Sequence, residues 1–208
     1  WSAAKGLGRV TGRLPKDFAD DVVASILEEF FTPAAGDTSW HGGCLAIAEL
    51  ARRGLLLPGR LSPEVVPILQ RSLEYDVRRG HSSVGAHVRD AAAYVCWALA
   101  RAYTPDTLQD AALTLAPALI TLALYDKEVN CRRAAAAAFQ ECAGRLGNFP
   151  HGIEILTCAD YFTVSVRSHA YLVVAPQVAA FGGRDYLEVM AWHLARNKLR
   201  HWEKGVRE

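Results

Sequence analysis

Tyr125-Asp126-Lys127-Glu128, then Val129-Asn130-Cys131-Arg132-Arg133, then five alanines from Ala134 to Ala138: this stretch decides the fold. Before it, Leu119, Ile120, Leu122 and Leu124 fit the apolar side of a first helix. Tyr125 to Glu128 turns the chain, and the alanine run carries on into Phe139 as a second helix. Alanine is the best intrinsic helix former and the smallest residue with a side chain, so the run both favours helix and lets neighbouring helices approach closely. Asp126 and Arg132 stand six residues apart across the turn. An Arg guanidinium can bridge a carboxylate and helix-end carbonyls at once, which satisfies groups that stacking would otherwise bury unpaired.

The arginine recurs. Val88-Arg89-Asp90, Cys131-Arg132-Arg133, Val166-Arg167-Ser168 and Val206-Arg207-Glu208 share its placement, with Arg-to-Arg steps of 43, 35 and 40 residues. A recurrence of about 40 residues is the period of a helical-repeat solenoid. The expected fold class is therefore all-α, a right-handed α-solenoid of HEAT/armadillo-type helical hairpins, and the Asp126–Arg132 separation is that of the HEAT consensus. A structural ladder of Arg89, Asp126, Arg132, Asp160, Arg167 and Arg207 is expected to tie neighbouring repeats. In such arrays function lies in an extended surface, so a partner is sought before a catalytic pocket.

Working outward, the chain divides into pairs near 15–53, 62–103, 105–146 and 152–181, with a last pair from about Arg184. Cys44 to Ala51 and Ala91 to Leu99 read as second helices that are apolar on most sides and hence buried. Phe18, Val22, Ile26 and Phe30, spaced by four, form the stripe of a first helix after Pro15. Ser62-Pro63-Glu64 and Thr104-Pro105-Asp106 read as helix starts, with an N-cap, a first-turn proline and an acid. Pro117 is read as marking a late helix start, and Tyr75 to His87 as a lengthened turn. The opening on Trp1 and the last arginine at Arg207 suggest residues 1–208 as a single array, a fragment of a longer solenoid truncated inside repeats at both ends.

Composition narrows the class. Hydrophobic residues are 51% and charged ones 22%, enough apolar material for a packed core. A net charge of +1 from 23 basic and 22 acidic residues gives no global field for nucleic acid or an anionic membrane. The longest apolar stretch, Ala111 to Tyr125, is short of the ~20 residues a membrane span needs. The five cysteines form no C-x-x-C pair, which argues against a disulfide framework and for a reducing compartment such as the cytosol.

Few residues suggest chemistry. Cys131 and Cys158 share the chain with His151 and Asp160, but their apolar settings favour packing over nucleophilic catalysis. The seven histidines show no zinc spacing, and Gly6-Leu7-Gly8 lacks the context of a phosphate loop. No cofactor is expected. Arg78, Arg79 and Arg133 are the freer arginines for any finger acting on GTP hydrolysis, with ordinary solvated arginines the preferred reading. Candidate partner contacts are Arg78, Arg79, His81, Arg133, Phe149 and His151. Phe149 either anchors a partner from a rigid turn or tucks under the next repeat, and the tucked place is preferred. Helical spacing favours core for most of Tyr161, Phe162, Trp192 and Trp202.

Trp40-His41-Gly42-Gly43-Cys44-Leu45-Ala46, Asn-Cys-Arg-Arg-Ala-Ala at 130–135, Phe139-Gln140-Glu141, Phe149-Pro150-His151-Gly152-Ile153 and Ala159-Asp160-Tyr161-Phe162 form an ordered set. Together they resemble the tubulin-specific chaperone D family, also called tubulin-folding cofactor D, over nearly the whole chain. Ser165-Val166 stands where that family's pattern has a Gly-Asn pair, and the tail after Ala180 matches more loosely. The resemblance implies an inner segment of a large cytoplasmic, cytoskeleton-associated scaffold that is not an enzyme. It implies capture of β-tubulin and assembly or disassembly of the αβ-tubulin heterodimer. Cofactors E and C and an ADP-ribosylation-factor-like small GTPase are the implied partners, with a contribution to GTPase activation. The alternative is a generic HEAT-repeat interaction adaptor of another cytosolic pathway.

Overall fold

The computed structural model describes residues 1–207; Glu208, which closes the fourth arginine stretch, lies outside the described residues. The chain is an all-α solenoid of helix pairs, interrupted by one small hairpin. It begins with α1 (Ser2–Thr11), α2 (Lys16–Glu29) and α3 (Asp37–Ala51). α4 (Pro58–Arg60), a π-helical turn (Leu61–Val65) and α5 (Val66–Leu73) follow as one rod. Strands β1 (Val77–Arg79) and β2 (Ser82–Val84) pair antiparallel, Val77 opposite Val84. Next come α6 (Ala86–Ala102), α7 (Gln109–Tyr125), α8 (Val129–Leu146) and α9 (Gly152–Cys158). The chain ends with α10 (Arg167–His169), a π turn (Ala170–Val174), α11 (Ala175–His193), a π turn (Leu194–Lys198) and α12 (Lys204–Arg207).

The second helices α1, α3, α6 and α8 stack side by side, and the first helices α5 and α7 do the same in a second layer. Small residues make the layer of second helices possible. Ala91, Ala92, Ala93, Ala98, Ala135, Ala136 and Ala138 are all buried, so α6 and α8 approach along alanine and cysteine surfaces. Cys131 Sγ donates to Ala86 O, and Cys142 Sγ reaches Cys96 O, each about one repeat back. One apolar core runs through both layers from Val23 to Met190. Gly43 in α3 faces the Phe31 ring so closely that a Cβ would lie 2.6 Å from it, which fixes the packing of the Trp40–Ala46 motif. Trp40 itself is buried edge-on against Phe31 and donates to Thr32 O.

Several local expectations are corrected. α7 begins at Gln109, so Pro117 lies mid-helix and does not start it; Thr104 to Leu108 form a turn. Ser62 and Pro63 fall inside the π turn of a rod that starts at Pro58. That turn ends with Val66 N donating to Leu61 O, just before Pro67, and a second π turn ends with Ala175 N donating to Ala170 O before Pro176. A wide turn ahead of each proline accommodates the missing N–H and the ring that would clash with a regular ladder. The buried stripe of α2 is Ala19, Val23, Ile26 and Leu27, one step round from the expected stripe, and Phe18 is exposed.

The larger departure follows α9. The rod from α10 into α11 packs chiefly on α7 and α9. α11 then kinks at Gly183, which takes φ +57° and ψ −152°, a conformation open to glycine. Beyond the kink the chain does not extend the stack. It runs back across the outer layer as a strap: the Tyr186 hydroxyl donates to Pro150 O, the His193 ring stacks on Tyr125, and His201 pairs with Asp76 at 2.8 Å.

Candidate functional site

Two surfaces carry the polar and aromatic groups that could meet a partner: the edge where the intra-repeat turns line up, and the face of the second helices. The turn edge is organised by buried arginines. Arg89 lies one turn into α6 and grips Asp126 of the next repeat, Nε to Oδ2 at 2.6 Å and Nη2 to Oδ1 at 3.2 Å. Its Nη1 donates to Tyr75 O at 2.7 Å in its own repeat. Burial would depress the Arg89 guanidinium, but the charge and hydrogen bonds of Asp126 outweigh it and hold the pKa above the usual value. Asp126 Oδ1 also accepts from Glu128 N at 2.7 Å, an Asx turn that leads the chain into α8.

Arg132 continues the pattern with neutral acceptors. Its Nη1 donates to Asp126 O and Lys127 O in its own turn, while Nε and Nη2 donate to Val164 O and Ser165 O of the next turn, both at 2.7 Å. Burial, opposed by the Asp126 charge, leaves its pKa below the ordinary arginine value. Arg207 repeats the own-turn half of this geometry, donating to His201 O and Trp202 O, six and five residues back. Arg167 and Asp160 leave the ladder. Arg167 is exposed and makes no hydrogen bond or ion pair among the described residues. Asp160 turns on itself, accepting from Thr163 N and Phe162 N, and these bonds hold its carboxyl below the usual range. Asp160 and Arg167 are seven residues apart, one more than Asp126 and Arg132, so the turn has a different shape.

The sequence-proposed contacts divide. Arg79, on the hairpin, is tied to Asp37 at the start of α3 at 2.5 Å, and His87 lies 3.1 Å from the same carboxylate. Arg78 lies over the Trp202 ring at 4.9 Å and donates to Gly80 O. Both therefore have intramolecular roles. His81 at the hairpin tip is exposed, as is His151, which sits at φ +50° ahead of α9. Arg133 lies over Tyr161 of the next turn at 4.8 Å. Phe149 is buried edge-on against Phe139 and offers no anchor, because the turn aims it inward.

Sequence reasoning missed the second surface. On the second-helix face a groove of about 520 Å³ runs between Trp1, Leu45, Tyr94, Trp97, Ala134 and Ala137. Tyr94 and Trp97 stack at 5.6 Å, and Trp1 tilts onto Tyr94 at 5.3 Å. Arg101 lies 4.7 Å from the Trp97 ring and Arg52 lies 6.0 Å from it, each held by an acid: Arg101 by Glu141, Arg52 by Glu49. The alanine run leaves a flat floor beside these rings. The signal was present in Tyr94 and Trp97, three apart on a helix that is otherwise alanine-rich.

Chemistry is weakly provided for. The thiols of Cys44, Cys131 and Cys142 are pushed up to about 12 by burial, far from the thiolate a nucleophile needs. Among the described residues no group of three or more His, Cys, Asp or Glu is placed to hold a metal ion. Among the described residues no helix is long and apolar enough to cross a membrane.

Residues 1–153 match the family described as tubulin-specific chaperone D-like, ARM repeats. The chain is similar to tubulin-specific chaperone D of Dictyostelium discoideum, 44% identical over 213 residues that take in all of this chain and 14% of that protein. It is similar also to tubulin-folding cofactor D of Schizosaccharomyces pombe, 31% identical over 221 residues, all of this chain and 20% of that protein. The chain thus spans a fifth or less of the length of these curated relatives. No solved structure matches it.

Proposed function

Because the chain belongs to the tubulin-specific chaperone D-like family of ARM-repeat proteins, we propose that it is a non-catalytic scaffold segment that binds β-tubulin on the face of its second helices. The observation that carries the reading is the groove beside Tyr94 and Trp97. Half-buried stacked aromatics over an alanine floor, flanked by arginines, form the kind of anchor that dominates binding energy at protein interfaces. The arginine ladder acts behind it, holding successive repeats at a fixed spacing so that the groove keeps its shape.

On this reading the chain contributes to assembly and disassembly of the αβ-tubulin heterodimer. Cofactors E and C and an ADP-ribosylation-factor-like small GTPase meet other parts of the wall, and the segment supports GTPase activation by placement. The exposed side chains His81, His151 and Arg167, with the partly buried Arg133, are the contacts left for these partners on the turn edge and repeat junctions. The setting is cytoplasmic and cytoskeletal.

The test is binding of purified αβ-tubulin to the full-length protein carrying Trp97→Ala or Tyr94→Ala. Removal of a central aromatic anchor is expected to weaken binding by about tenfold or more. Unchanged affinity with both variants would move the tubulin site elsewhere. Absence of tubulin binding by the unaltered protein would favour an adaptor of another pathway.

A further inference from the structure

Where the strap crosses the turn edge it closes over a cleft of about 380 Å³, bounded in part by Asp76, Asp126, Lys127, His193, Lys198 and Arg200. The carboxylates of this cleft are already engaged. Asp126 is taken by Arg89 and by Glu128 N. Asp76 pairs with His201 at 2.8 Å and lies 3.7 Å from Arg89. Glu74, at the rim, lies 3.8 Å from His193 and is largely exposed.

The donors are in the opposite condition. The His193 side chain is 10% exposed, and its Nε2 is buried with no hydrogen-bond partner among the described residues. Its Nδ1 lies 3.1 Å from Asn197 Nδ2 and 3.8 Å from Glu74; in the tautomer in which Nδ1 accepts from the amide, Nε2 carries the proton as an unused donor. The side chain of the half-buried Lys198 makes no hydrogen bond or ion pair among the described residues. Burial lowers its pKa, Asp126 and Asp76 raise it, and Arg89 and Lys127 lower it again, with a net fall; no carboxylate pairs with the ammonium directly among the described residues. Arg200 is exposed at the same wall and is likewise without a partner among the described residues. Arg78, Arg89 and Lys127 add three further cations, Arg89 already paired with Asp126 and Lys127 with Glu203 at 3.2 Å, so the five cations exceed the four carboxylates Glu74, Asp76, Asp126 and Glu203 by one.

We propose that this cleft binds a phosphate-class oxyanion, inorganic phosphate or a phosphate monoester, held by Lys198, Arg200 and the Nε2–H of His193. Unpaired buried donors carry a desolvation cost that a ligand with several acceptor oxygens removes. Three separate donors on one segment, His193, Lys198 and Arg200, suit an anion with several acceptor oxygens better than a planar carboxylate, which a single guanidinium fork already satisfies. The cleft holds more than one phosphate group, with Leu73, Leu122 and Val206 on its walls, leaving space for the organic part of an ester. The inference does not depend on tubulin binding.

The experiment titrates the protein near neutral pH with inorganic phosphate, O-phosphoserine and acetate at constant ionic strength, following the His193 imidazole resonance by NMR. Saturable movement of that resonance by phosphate, with acetate inert, is the expected result. Tighter binding of O-phosphoserine than of phosphate identifies an ester as the ligand, and equal binding identifies the free anion. Lys198→Gln is expected to weaken binding about tenfold or more, with Lys198→Arg restoring it. Circular dichroism of each variant reports whether the fold persists, and His193→Gln provides a second variant, read by calorimetry, should Lys198→Gln unfold the strap. A linear, unsaturable response, an equal response to acetate, or full affinity in folded Lys198→Gln would overturn the proposal.

Discussion

Arg89 holds both carboxylate oxygens of Asp126 across 37 residues of sequence, with the two side chains 5% and 4% exposed. A buried pair of this kind gains little over an apolar substitute, but removing one member strands the other. Asp126→Ala leaves the Arg89 charge buried and removes the Asx-turn bond to Glu128 N, and is expected to cost about 3–5 kcal/mol of stability. A double-mutant cycle with Arg89→Ala should return a coupling of about 1 kcal/mol or more. Additive losses in chemical denaturation would show that the pair does not act as a unit.

Arg132 is expected to behave differently because all its acceptors are backbone carbonyls. Arg132→Ala unsatisfies carbonyls in two successive turns, a loss on the order of 3 kcal/mol. Arg132→Lys should recover little, since one ammonium cannot reach carbonyls spread around the edge of a planar guanidinium. Thermal unfolding of the two variants checks this; a lysine variant as stable as the unaltered protein would mean that charge, not geometry, is what the site requires.

These two arginines also mark how far the sequence was legible. The helix-turn-helix at Leu115–Gly144 is local, written in an alanine run and a six-residue Asp-to-Arg step, but that step does not itself set the contacts: the Asp126 carboxylate takes Arg89 of the preceding repeat and Arg132 takes backbone carbonyls. Asp160 and Arg167 share the residue types but not the step, and the carboxylate was captured instead by backbone N–H groups two and three residues on. The strap had no local signature at all. Its register rests on pairs such as His201 with Asp76, 125 residues apart, and on a kink at one glycine among sixteen. The inward turn of Phe149 rested on the same kind of distant packing, and only the preference for a tucked ring anticipated it.

Gly85 tests the hairpin insertion. It has φ +142°, and a Cβ there would lie 2.3 Å from Tyr75 O, the same carbonyl that receives Arg89 Nη1. Gly85→Ala therefore strains the backbone and displaces a ladder acceptor together. A destabilisation of about 2 kcal/mol or more is expected, from the strained conformation and the lost charge-assisted bond. Equilibrium unfolding measures it, and a change under about 0.5 kcal/mol would show that Tyr75 moves without cost.

The strap should loosen on acidification through His193. Burial lowers the His193 pKa below its ordinary 6.5; Glu74 pulls the other way, but from 3.8 Å and while itself 61% exposed, so its attraction is screened and burial prevails. Lys198 also disfavours the charged ring, and Asp126 favours it weakly. Below pH 6.5 the unfolded or detached strap binds a proton that the docked ring does not, so stability rises with pH in that interval and falls as pH drops from 6.5 toward the docked value. Hydrogen exchange, corrected for intrinsic rates, is expected to show protection of residues 186–202 falling between about pH 7.5 and pH 5.5 while that of α6 and α8 persists. In His193→Gln the same interval should show no such fall, since the amide does not titrate. Protection that is unchanged, or that rises, as the unaltered protein is acidified would mean that His193 is charged in the docked strap and that Glu74 governs it.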